Sequence, residues 1–291
     1  MLYTRPVVIA EIGCNHGGSL DMAIKMIKKA LDCGATYVKF QKRNNKYLLG
    51  KKYTQPHPVP ENSFGKNYGS HREYLEFSIK EHEYLFRFCN KIGIKYSTSV
   101  WEKKSAESLI KSKIKLDFIK VPSACNLDYE LLNFLADKYF GKIHISLGMT
   151  TGKEIENIVN FFETKSRNKD LVLYACTSAY PCPFSDIYVL EINKILNKYK
   201  NKISGVAFSG HHLGIAIDIG AYVLGAKYIE RHFTLDRSLK GTDHSASLEP
   251  SGLAKLCRDL NNMYLSLKYK NGIIVKSELD QRKKLKRFLS K

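Results

Sequence analysis

The chain has 291 residues, 44% hydrophobic and 26% charged, with 47 Lys and Arg against 28 Asp and Glu for a formal net charge of +19. That mixture can fill a core, which excludes a disordered chain. The longest apolar stretch of helical pattern, Gly214 to Ala226, is broken by Asp218 and falls well short of the roughly 20 residues of a membrane-spanning helix.

In chain order, the N-terminus runs straight into a strand-like Val7 to Glu11 without the pattern of a signal peptide, so export is not expected. Seven further apolar runs read as strands: Tyr37 to Gln41, Lys95 to Val100, Phe118 to Val121, Lys142 to Leu147, Leu171 to Cys176, Gly205 to Ser209 and Tyr228 to His232. Helical spacing fills the intervals, from Leu20, Ala23, Ile24, Ile27 and Leu31 in the first to Leu253, Leu256, Cys257, Leu260, Tyr264 and Leu267 in the last. Gly34 is expected to end the first helix. Thr151 with Glu154 reads as a capping box, and Ser277 with Asp280 as a weaker one.

Eight strand–helix repeats predict an α/β fold, a (β/α)8 TIM barrel over residues 1–270, followed by a basic C-terminal tail, 271–291, with a short helix. A doubly wound open sheet is the alternative. One connection is irregular. From Lys42 to Ile79, after the second strand, it carries Pro56, Pro58 and Pro60 and is far longer than usual, so it is either a functional loop or disordered.

The seven cysteines are scattered and never spaced Cys-x-x-Cys, which predicts neither disulfides nor a zinc knuckle and fits a reducing cytoplasm. Cys14, Cys125 and Cys176 read as small apolar packing. The lysines are spread along the chain. A solvated lysine-rich surface is expected; a function for the charge, drawing anionic substrates inward, is the lesser alternative, and a basic nucleic-acid- or membrane-binding barrel the least.

In a barrel, alternate residues of a strand face inward and chemistry gathers at the C-terminal strand ends. Lys39 and Gln41 share one face of the second strand. The fourth offers Lys120 before Ser123, the fifth Ser146, and the seventh Ser209. Two lysines and several hydroxyls at one mouth suit a phosphate plus a carboxylate; the plain alternative is that both lysines snorkel to solvent. Glu230 and His232 share a face of the eighth strand, and His211 stands just past the seventh. Neighbouring strands lie about 4.8 Å apart, so both histidines are read as ligands of one divalent cation that polarises a carbonyl oxygen.

The phrases Val8-Ile9-Ala10-Glu11-Ile12-Gly13-Cys14-Asn15-His16-Gly17-Gly18, Val38-Lys39-Phe40-Gln41, Ile119-Lys120-Val121-Pro122-Ser123, Ser146-Leu147-Gly148-Met149, Cys176-Thr177-Ser178-Ala179-Tyr180-Pro181, Phe208-Ser209-Gly210-His211 and Glu230-Arg231-His232-Phe233-Thr234 resemble the sialic acid synthase family, N-acetylneuraminate synthase-like, from Val7 to about Leu267. The resemblance implies condensation of phosphoenolpyruvate with an aldose, usually an N-acylated hexosamine such as N-acetylmannosamine, to a 3-deoxy-2-ulosonic acid and phosphate. It implies that Lys39, Lys120, Ser123, Ser146 and Ser209 hold phosphoenolpyruvate and that Gln41, Tyr180 and Asp243 contact the sugar. His211 and His232 match the family's metal ligands, for manganese or magnesium. Glu11 matches a strand-one glutamate that handles the water or its proton, and Glu11, Lys120 and Tyr180 are the expected catalytic groups.

Most members continue into an antifreeze-like domain, whereas this chain is expected to be a barrel-only member. The family's acidic residue soon after the fourth strand's serine has no counterpart in Ser123-Ala124-Cys125-Asn126. From its place beside the mouth, the long connection is expected to cover the site and to bring His71 and Arg72 to the sugar, in the same subunit or across a homodimer. A competing enzymatic reading is a phosphoenolpyruvate-independent aldolase acting on 2-oxo acids, with Lys120 as a Schiff-base nucleophile.

Overall fold

A computed structural model of the chain describes residues 3–288. Eight parallel strands close into a barrel in sequence order: β1 (Val7–Gly13), β2 (Tyr37–Lys42), β3 (Lys95–Val100), β4 (Phe118–Val121), β5 (Lys142–Ser146), β6 (Leu171–Cys176), β7 (Gly205–Gly210) and β8 (Tyr228–His232). Because β8 pairs with β1, the open-sheet alternative is excluded. The helices, in chain order, are α1 (Leu20–Asp32), α2 (Asn45–Leu49), α3 (Tyr68–Tyr74), α4 (Ile79–Ile92), α5 (Lys103–Ile110), α6 (Tyr129–Lys138), α7 (Gly152–Thr164), α8 (Glu191–Tyr199), α9 (Ala216–Val223), α10 (Pro250–Ser266) and α11 (Leu279–Leu285). α1 and α4 to α10 form the outer ring. None is long and apolar enough to cross a membrane.

Strand alternation divides the interior into levels. Ile9, Tyr37, Phe118, Val172, Tyr174, Ala207 and Tyr228 form a small apolar floor inside the barrel, with His144 stacked on Phe118 at 3.9 Å between ring centroids. Two residues further along the same strands stand Glu11, Lys39, Lys120, Cys176, Ser209 and Glu230. The register brings them together: Glu11 lies opposite both Lys39 and His232, Ser99 opposite Lys120, and Ser209 opposite Glu230. The opposite strand faces pack beneath the helices in the main core, which includes Val8, Ala10, Val38, Phe40, Val121 and Phe208.

Local signals decide the helix ends. Thr151 and Glu154 form the expected capping box at α7, and Gly34, at φ +88°, turns the chain just past α1. The box expected at Ser277 does not form. Lys276–Glu278 is a 3-10 turn, and Glu278 instead pairs with Lys270 at 2.6 Å, so α11 starts without a side-chain cap.

The β2–α4 connection is ordered, which overturns the disordered alternative. Lys42 closes β2 and α4 begins at Ile79; between them lie α2, 3-10 turns at Gly50–Thr54 and Pro60–Asn62, and α3. Lys42 Nζ meets Glu76 at 2.5 Å and the Phe77 carbonyl at 2.9 Å, pinning the two ends together. Phe64 stacks on Tyr74 with centroids 5.1 Å apart. The tip reaches the β8–α10 segment, where the Gly241 amide donates to Asn62 Oδ1 at 3.2 Å.

Candidate active site

A cavity of about 300 Å³ opens at the C-terminal ends of the strands. Its base is a ring of alternating charges. Lys39 pairs with Glu11, donates to Ser99 Oγ at 2.7 Å, and lies 3.7 Å from Glu230. Lys120 Nζ lies 2.6 Å from Glu230 Oε1, which Ser209 Oγ also approaches at 3.3 Å. Lys39 is 2% exposed and Lys120 4%, so neither snorkels to solvent. Their ammonium groups are held inside by carboxylates, a contact that stabilises buried charge only because both partners are present.

Two carboxylates in this ring are driven apart. Burial raises both, but Lys120 and Lys39 together hold Glu230 at about 2. For Glu11 burial wins over Lys39, and the negative charge of Glu230 adds to it, so its carboxyl sits above its ordinary value. Burial likewise lowers Lys120, against Glu230. Glu230 is thus a fixed anion and Glu11 a group suited to exchanging a proton. Gln41 Nε2 donates to Glu11 Oε1 at 2.9 Å, and the Lys39 ammonium lies against the other oxygen, Oε2.

The turns after the strands bring in the remaining polar groups. Ser123 Oγ accepts the Gly148 amide at 3.0 Å, and Ser146 stands at the end of β5. Gly148 packs so closely that a Cβ there would lie 2.2 Å from Ser178 Oγ and 2.7 Å from Ser123 Oγ; only glycine fits. His211 and His232 face each other with ring centroids 5.5 Å apart, and Tyr180 lies over His211 at 4.2 Å. His211 Nδ1 bonds the Thr177 carbonyl at 2.8 Å; burial lowers this imidazole, but the Cys176 thiol and the Thr177 carbonyl outweigh it and hold His211 above its ordinary value. His232 Nδ1 is buried without a hydrogen-bond partner, with Asp243 Oδ2 3.9 Å away. Burial lowers His232 to about 4, so it is neutral near pH 7. Two imidazoles on one cavity, that of His232 neutral with its Nδ1 free, fit a divalent cation that would displace the proton of His211 and whose remaining ligands are not His, Cys, Asp or Glu side chains, since no group of three of these is arranged for a metal among the described residues.

Glu11, Lys39, Gln41, Arg72, Lys120, Ser123, Ser146, Tyr180, Ser209, His211, His232 and Asp243 all line the cavity, as expected. His71 does not. It is buried inside the β2–α4 connection, its Nδ1 accepting the Phe64 amide at 3.1 Å and its ring 4.4 Å from that of His57. Its helix turns Arg72, not His71, toward the site. Two of the three cysteines read as apolar packing also differ. Cys176 lines the cavity, and Cys14 Sγ contacts Gln41, Arg43 and Arg72; only Cys125 is simply buried. Arg43, Ser99 and Trp101 line the cavity without having been singled out, although extending the inward alternation Lys39, Gln41 by one step reaches Arg43. A larger groove of about 610 Å³ lies alongside, against α8, but its Glu191 and Lys194 pair with each other at 3.0 Å and no charges converge inside it.

The NeuB family model matches residues 26–272. The chain is 37% identical to the human N-acetylneuraminate-9-phosphate synthase over 258 residues, 87% of this chain and 68% of that protein. It is 30% identical to the N,N'-diacetyllegionaminic acid synthase of Campylobacter jejuni, covering 97% of this chain and 86% of that one. The crystal structure of the N-acetylneuraminic acid (sialic acid) synthetase of Leptospira borgpetersenii, in complex with citrate, superposes with a TM-score of 0.79 at 30% identity, over 97% of this chain and 93% of that one. A match spanning the barrel, together with the charged ring and paired imidazoles at its mouth, places this chain in the NeuB family.

Proposed function

We propose that this chain condenses phosphoenolpyruvate with an aldose, N-acetylmannosamine-like, to give a 3-deoxy-2-ulosonic acid of the sialic acid type and inorganic phosphate. The observation that carries the reading is the buried ring Glu11–Lys39–Glu230–Lys120 beneath two imidazoles. Small-molecule recognition by a charged, water-restricted pocket follows from it, as does a soluble-substrate chemistry in which fixed charges meet developing charge.

In the proposed reaction C3 of phosphoenolpyruvate bonds to the aldehyde carbon, and the aldehyde oxygen gains a proton. Positive charge appears at C2, where water adds and gives up a proton. The tetrahedral intermediate then expels phosphate, leaving the C2 ketone. Lys39 and Lys120, with Ser123, Ser146 and Ser209, hold the phosphate and carboxylate of phosphoenolpyruvate as point charges and directed donors. Glu11 takes the proton of the water, a task its raised proton affinity suits. Tyr180, Gln41 and Asp243 face the aldose. His211 and His232 fit a divalent cation, manganese or magnesium, which when bound supplies positive charge at the aldehyde oxygen.

All seven cysteines are free, which supports a reducing, cytoplasmic setting. Met149, Phe184, Tyr188 and Leu190 are exposed apolar side chains on the segments around the mouth, which supports a homodimer, checked by light scattering. The activity is tested by measuring phosphate release from phosphoenolpyruvate with manganese and a panel of aldoses. Aldose-dependent release that stops with chelator is expected. A covalent lysine adduct trapped by borohydride with pyruvate, without phosphate release, would instead establish the aldolase reading.

A further inference from the structure

The geometry points to an oxyanion subsite formed by Arg43 and Arg72, which binds a phosphate or carboxylate carried by the acceptor aldose. This rests on the synthase reading and adds the chemical class of the acceptor.

Every other lysine or arginine that lines the cavity has a carboxylate beside it: Lys39 has Glu11 and Glu230, and Lys120 has Glu230. Neither arginine belongs to an ion pair among the described residues. Arg43 Nη2 donates to the neutral Gln41 Oε1, and both arginines flank one sulfur, Arg43 Nη1 at 3.3 Å and Arg72 Nη1 at 3.8 Å from Cys14 Sγ, acceptors that neutralise neither. Two cations on one thiol repel each other; Asp243, a single carboxylate in the same cavity, acts on both but forms an ion pair with neither, so the two arginines keep an excess of positive charge.

Arg43 is only 5% exposed, and its Nε has no hydrogen-bond partner. Its guanidinium lies 3.8 Å from the ring centroid of Trp101, whose Nε1 is also buried without a partner. Orphaned donors on a cavity wall signal a missing acceptor. A guanidinium fixed face-on to an indole presents its edge as a fork, which suits two oxygens of one anion.

The position assigns that anion to the acceptor. β2 and β3 pair Lys39 with Ser97 and Gln41 with Ser99, so the next inward step sets Arg43 beside Trp101 at the rim. At about 3.3 Å per residue, Arg43 stands roughly 13 Å along the strand direction from Lys39. The outer arginines are therefore set apart from the lysine ring that would take phosphoenolpyruvate.

The test compares N-acetylmannosamine, its 6-phosphate and the corresponding uronic acid as acceptors, with phosphoenolpyruvate and manganese. The expected result is a KM for one of the anionic aldoses at least about tenfold below that of the neutral one. Arg43→Gln and Arg72→Gln should each raise the KM of that aldose by about 10- to 100-fold, and far more than the KM of phosphoenolpyruvate. Arg43→Lys, which keeps the charge and loses the fork, should recover only part of the loss. The preferred anion, phosphate or carboxylate, identifies the substituent. Equal KM values for neutral and anionic aldoses, or variants that act on phosphoenolpyruvate instead, would overturn the subsite. Absence of phosphate release with every aldose would contradict the synthase reading; the subsite is then decided by melting temperature, which the anionic sugars should raise in the parent protein and not in either glutamine variant. No difference between anionic and neutral sugars in that assay would overturn it.

Discussion

Lys120 and Glu230 are both needed because neither charge has water to fall back on. Truncating one partner of such a buried pair costs about 3–5 kcal/mol through the charge left behind. Lys120→Ala is therefore expected to lower stability as well as phosphoenolpyruvate turnover, the latter by a factor of about 10² to 10³. The combined Lys120→Met, Glu230→Gln variant separates the two effects: it should regain the urea midpoint and stay inactive. Turnover restored along with stability would mean that Lys120 is structural only. At this scale much was legible, because the period-two alternation of strands puts Lys39 with Gln41 and Glu230 with His232. What could not be read was the pairing itself. Glu230 serves two lysines that lie 110 and 191 residues earlier in the chain, a relation set by barrel closure rather than by any local pattern. Arg43 stands one inward step beyond Gln41, past the end of the apolar run that marks β2 in the sequence.

The β2–α4 connection acts as a unit. His71 holds it from within, stacked on Phe64 and Tyr68 and edge-on to His57 while accepting the Phe64 amide, and Arg72, next on the same helix, reaches the cavity. His71→Ala is expected to loosen this connection, so that limited proteolysis cuts between residues 43 and 78 faster, and to raise the acceptor KM only as far as Arg72 is displaced. Arg72→Ala should raise that KM with no change in proteolysis. Equal proteolysis in both variants would contradict the division of labour. The eight strands were legible because buried parallel strands are short continuous apolar runs. α2 and α3 were not, since each is short and polar and is stabilised by distant partners, as in the Lys42–Glu76 pair that closes the whole excursion. Likewise the Ser277 cap failed because Glu278 was drawn to Lys270.

Across the molecule, burial keeps several imidazoles neutral. His16 is lowered to about 3, and His82 and His144 lie well below the ordinary histidine value, each chiefly through desolvation. In the unfolded chain these groups take up protons below about pH 6.5, while the folded chain refuses them. Stability should therefore fall as pH drops from about 6.5 toward 4, by about 1.4 kcal/mol per pH unit for each withheld proton. Urea midpoints measured across that range test the sign; a midpoint that stayed constant or rose toward pH 4.5 would contradict it. The net charge of +19 sits on a surface of dispersed lysines, and the chemistry depends on the few charges enclosed in the barrel. In the proposed reaction their central role is to let water attack C2 so that phosphate departs with the bridging oxygen. Phosphoenolpyruvate labelled with ¹⁸O at that oxygen, turned over with an aldose and followed by ³¹P NMR, tests this directly. Released phosphate that carries the label and forms only with aldose present is the expected result, whereas unlabelled phosphate, or release without aldose, would contradict it.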